Sequence, residues 1–65
     1  MTAEAVNETG ILLRLEGGFA LKRDAGGFYQ LDLHRTPVDL IEKHVRVIGI
    51  KIGPEHVDAE GVQPA

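Results

Sequence analysis

Apolar side chains return at every second position over three stretches of this chain. Ile11, Leu13 and Leu15 are interleaved with Arg14 and Glu16, Phe19 and Leu21 with Ala20 and Lys22, and Tyr29, Leu31 and Leu33 with Gln30 and Asp32. A period of two is that of a strand with one buried face. Leu12 breaks the first alternation and reads either as part of a strand covered on both sides or as an interface position. If the odd positions share one interior, opposed residues in each hairpin sum to an even number. Leu15 then faces Phe19 and Leu13 faces Leu21 around the loop Glu16-Gly17-Gly18, while Leu21 faces Leu31 and Phe19 faces Leu33 around Ala25-Gly26-Gly27. Each loop carries a glycine for the positive-φ position such turns require.

The flanks are less regular. Met1 to Glu8 show no period, so residues 1–9 are expected to form a flexible arm before an ordered domain over 10–62, with 63–65 as a tail. Between the third and fourth strands, Thr36 suits a helix N-cap, Pro37 the first helical position and Asp39 the first turn, predicting a short helix that ends near His44. Val45 to Ile52 is β-branched and alternating, but its apolar parity passes from Val45 and Val47 to Ile50 and Ile52. That change predicts a bulge or bend at Ile48-Gly49. Gly53-Pro54-Glu55-His56 reads as a turn and Val57 to Val62 as a last strand, with Ile52 opposite Val57.

The predicted class is mostly β: a small five-stranded OB-like barrel, β-β-β-α-β-β, whose helix plugs one end. An SH3-like barrel is the rival. At Gly10, Gly18-Phe19-Ala20-Leu21, Gly26-Gly27-Phe28-Tyr29-Gln30-Leu31-Asp32 and Lys43-His44-Val45-Arg46-Val47-Ile48-Gly49, the chain resembles small bacterial OB-like domains of unknown function. Those domains carry a Gly-x-Tyr-x-Leu hairpin followed by a Leu-Ile-Gly-Lys-x-Val-x-Val-x-Gly segment. The chain departs from that pattern at Glu42, where a glycine is usual. The resemblance implies a fold and no particular activity.

Composition narrows the function classes. A chain of 65 residues has a core only just able to hold a fold, since a domain near this size buries roughly 60% of its unfolded surface. No cysteine is present, so disulfides and thiolate chemistry are excluded. No apolar run approaches the ~20 residues of a membrane span and no export signal is legible, so a soluble, cytoplasmic protein is expected. Seven Lys and Arg against ten Asp and Glu give a net charge of -3, the wrong sign for a protein whose main task is binding phosphates.

Little points to catalysis, and the chain is read as a non-enzyme. Serine is absent, Thr9 and Thr36 have structural readings, and Asp58 and Glu60 read as one solvated strand face. His34, His44 and His56 would suffice for zinc, but they share neither a strand face nor an i, i+4 helical pair. No metal and no cofactor are therefore expected. For single-stranded nucleic acid, the candidates are Lys22, Arg23, Phe28 and Gln30 on or near the second hairpin, with charge added by Arg14, Arg46 and Lys51. One outward ring supplies roughly 1–3 kcal/mol of stacking, too little for tight binding without a basic groove. The preferred reading is a protein partner or homo-oligomer held through Leu12 and Phe28.

Overall fold

The computed structural model describes residues 4–35 and 37–65. Its strands are β1 (Glu4–Leu15), β2 (Gly18–Arg23), β3 (Phe28–Leu33), β4 (His44–Gly53) and β5 (His56–Pro64). They close into a barrel in the order β1-β2-β3-β5-β4, with β3 and β5 parallel and the other pairs antiparallel. The mostly β, five-stranded closed barrel read from the alternation is thus the fold. Met1, Thr2 and Ala3 of the expected arm, and Thr36, the expected helix cap, lie outside the described residues.

Instead of the expected helix, a 3-10 turn at Val38–Leu40 joins β3 to β4. The backbone of the following residues is claimed by β1: Glu42 N–H donates to Leu12 O at 2.6 Å and Leu12 N–H donates to Lys43 O at 3.1 Å. A helix through these residues would forfeit both bonds, so the chain turns back into the sheet. Glu42 makes that turn at φ 65, the left-handed region that glycine favours.

The expected arm also needs correction, because β1 begins at Glu4. Its first part, Glu4 to Ile11, pairs with β4, and Gly10 to Leu15 pairs with β2. Gly10 belongs to both ladders, and a Cβ there would stand 2.1 Å from the Lys22 carbonyl oxygen. Only glycine admits strands at that distance.

Leu12, Leu21, Val45, Val47 and Val57 are fully buried, joined in the core by Val6, Leu31 and Ala59. The first hairpin pairs Leu12 with Leu21, Leu13 with Ala20 and Leu15 with Gly18. Its loop is therefore Glu16-Gly17, one residue shorter than expected, with Gly17 at φ 85. A slip of one residue exchanges the faces of a strand. Leu12 thereby takes the interior, while Ile11, Leu13 and Leu15 take the exterior. The second hairpin pairs Phe19 with Leu31 and Leu21 with Tyr29, a slip of two that leaves the predicted parity intact. Gly26 at φ 106 and Gly27 at φ 80 meet the expectation of glycine in that loop.

The irregularity expected at Ile48-Gly49 is present, but β4 does not change faces there. Ile48 pairs with Gly61 and Gly49 with Ala59, so the extra residue is Glu60 on β5. Val45, Val47 and Gly49 stay inward, leaving Ile48 and Ile52 exposed rather than in the core. Near the tip, Lys51 rather than Ile52 pairs with Val57 before Gly53 meets His56.

Candidate binding face

Outward positions of β1, β2 and β3 line up across the register. Ile11 pairs with Lys22, which pairs with Phe28; Leu13 pairs with Ala20, which pairs with Gln30; Leu15 pairs with Gly18 at the hairpin end. Ala20 is only 3% exposed yet stands outside the core cluster, so it is covered by its neighbours on the outer face. Leu15 and Phe28 are each 53% exposed. Between them lies a groove of about 370 Å³ whose lining includes Leu15, Phe19, Ala20, Phe28 and Gln30. Glu16 and Glu55 complete it from two different hairpin tips. The second tip is held there by Gln30 N–H, which donates to Glu55 O at 2.6 Å.

The residues singled out from sequence separate into groups. Lys22, Phe28 and Gln30 do share this face. Leu12 does not; it is fully buried and its proposed interface role gives way to a core role. Arg23 and Lys51 instead flank the Tyr29 ring at 4.4 Å and 5.8 Å from its centroid. Arg23 Nε also donates to Glu8 Oε1 at 2.8 Å, a bond that raises the guanidinium's affinity for its proton, and Lys51 Nζ stands 3.6 Å from Glu4 Oε2. Arg46 Nη1 donates to Asn7 Oδ1 at 2.6 Å, between β4 and β1. Sequence reasoning placed Ala20 on the outer parity but missed Ile11, Leu13 and Leu15 as outward residues. The available signal was the run Ile11-Leu12-Leu13, apolar on both parities.

Each histidine faces an aspartate: His34 Nε2 lies 3.0 Å from Asp58 Oδ1, His44 Nε2 2.6 Å from Asp24 Oδ2, and His56 Nε2 3.0 Å from Asp32 Oδ1. The last contact has ion-pair distance without hydrogen-bond geometry, so His56 Nε2 has no hydrogen-bond partner among the described residues. Asp24 also accepts from the Thr9 hydroxyl at 2.8 Å. Its bonds to His44 and then to Thr9 hold the Asp24 carboxyl below its ordinary value. Among the described residues, no group of three or more His, Asp or Glu side chains is placed to hold a metal ion. A second hollow of about 460 Å³ lies among Leu33, His34, Arg35, Pro37 and Glu60 to Val62. Among the described residues no helix is long and apolar enough to cross a membrane.

The model of a family described as a protein of unknown function, DUF5818, matches residues 9–65. The chain belongs to that family. The DUF5818 match takes in every strand after β1 and the part of β1 that pairs with β2. No curated protein and no solved structure matches the chain.

Proposed function

We propose that this domain works by binding rather than catalysis, docking a protein partner or a second copy of itself on the outer face of β1, β2 and β3. Ile11, Leu13 and Leu15 on β1 and Phe28 on β3 present apolar side chains there around the buried Ala20, with Lys22 between Ile11 and Phe28, on the outside of a barrel with little core to spare. The exposure of Leu15 and Phe28 on either side of one groove carries the reading, because apolar surface gathered on a small domain marks an interaction site. The strand order and the parallel β3–β5 contact fit an OB-like barrel, a scaffold that hosts many binding tasks.

Sedimentation across a concentration series, paired with capture of partners from an extract, tests this reading in wild type and in Leu15→Ser/Phe28→Ser. Loss of association or capture in a variant that stays folded is the expected result. A chain that is monomeric throughout, with a capture pattern the variant leaves unchanged, removes it.

Single-stranded nucleic acid is a second reading, favoured by the presence of Lys22, Phe28 and Gln30 on that same face. Arg23, Arg46 and Lys51 are each engaged within the molecule, which leaves Lys22, paired with Phe28, and Arg14, paired with Phe19, of the candidate cations. Titration of a labelled oligonucleotide at low and moderate salt distinguishes the readings, since phosphate contacts lose affinity steeply with salt.

A further inference from the structure

We propose that the groove between Leu15 and Phe28 receives an arginine side chain from a segment of a partner protein. The inference rests on the docking reading above and specifies what docks. The floor of the groove is apolar at Leu15, Ala20 and Phe28, while both ionisable groups lining it, Glu16 and Glu55, are carboxylates. Glu16 and Glu55 line one groove from two hairpin tips, the second of which is held by the Gln30–Glu55 backbone bond.

Few side chains satisfy both parts of such a site. A purely apolar residue would cover the floor but shield Glu16 and Glu55 from water without an opposite charge. A second copy would bring the same carboxylates on a chain whose net charge is -3, and the cation it presents on this face is Lys22 rather than an arginine. Arginine fits both. Its methylene stem lies on apolar surface while its head stays polar. Its guanidinium stacks on an aromatic face, here the half-exposed ring of Phe28, and its donors pair with carboxylates in a planar fork. Lysine offers the charge without the fork or the flat stacking surface.

The test titrates ¹⁵N-labelled protein with three capped peptides, Gly-Leu-Arg-Leu-Gly and its Gln and Glu counterparts at the central position, following amide shifts. The Arg peptide is expected to shift amides over residues 15–20 and 28–30 and at Glu55, and to bind about fivefold more tightly than the Gln peptide at low salt. That margin is expected to vanish in Glu16→Gln/Glu55→Gln and to shrink with added salt. Equal binding of the Arg and Gln peptides in the groove overturns the arginine assignment while leaving the docking face in place. Shifts confined to other regions, or none with any peptide, overturn the groove itself; the docking reading is then judged by sedimentation and capture.

Discussion

Two residues carry local features with measurable consequences. Glu42 adopts φ 65 although it has a Cβ, in the position where the resembling domains use glycine. A non-glycine residue in that region costs about 1–2 kcal/mol, partly offset in a glycine variant by the greater freedom of its unfolded chain. Glu42→Gly is accordingly expected to raise stability by about 0.5–1 kcal/mol in urea unfolding, and Glu42→Ala to give no comparable gain. A gain of the same size from Ala would place the effect in the glutamate side chain instead.

Asp24 is the second such residue. Its bonds to His44 and Thr9 lower its carboxyl from the ordinary value of 3.8, so the folded state favours the ionised form. The resulting stabilisation is present above about pH 3.8 and is lost as the pH falls through the lowered folded value. Asp24→Asn should therefore be less stable than wild type at pH 7, and the gap should narrow below that point. Urea midpoints at a series of pH values measure it, and a gap independent of pH contradicts the assignment.

At the scale of the element, β1 decides which residues form the interior. Leu12→Ala should cost about 2–5 kcal/mol, the range for a buried leucine truncated to alanine, with Leu13→Ala costing clearly less. The reverse order in chemical denaturation would restore the register in which Leu13 faces Leu21. The contrast also shows what could be read from the chain. In β2 and β3 the large apolar residues Phe19, Leu21, Tyr29, Leu31 and Leu33 are separated by small or polar ones, Ala20, Gln30 and Asp32, so their parity was legible and survived a register error of two residues. In β1, Ile11, Leu12 and Leu13 are all apolar, and alternation alone cannot choose a face. The choice fell to a hairpin loop of two residues rather than three, which a Gly-Gly pair permits equally well. The helix predicted after Pro37 failed for a different reason: its local signals were outweighed by backbone bonds to Leu12, a partner distant in sequence. The candidate face inherited the β1 error, so Phe28 was legible as an outward ring while Leu15 was not.

For the whole molecule, closure depends on the seam between β1 and β4, which uses residues 4–11. A chain starting at Gly10, as the period-free N-terminus invited, would lose most of that ladder and expose the β4 edge. Deleting residues 1–9 should abolish cooperative thermal unfolding or lower the midpoint by well over 10 °C, since a loss of about 1 kcal/mol alone shifts a domain of this size by roughly 4–8 °C. A truncated chain that melts like the full one would make the N-terminal half of β1 dispensable to the fold.

The central place of β4 also bears on the order in which the molecule can be made. Its outer neighbours are β1, near the start of the chain, and β5, near its finish, and Ala65 N–H still donates to His44 O at 3.1 Å. During synthesis the earlier hairpins emerge with no wall to close against, and the last two ladders wait until β5 has emerged. Barrel closure therefore waits for β5, and until then the edges of β3 and β4 are open to any neighbouring strand they meet.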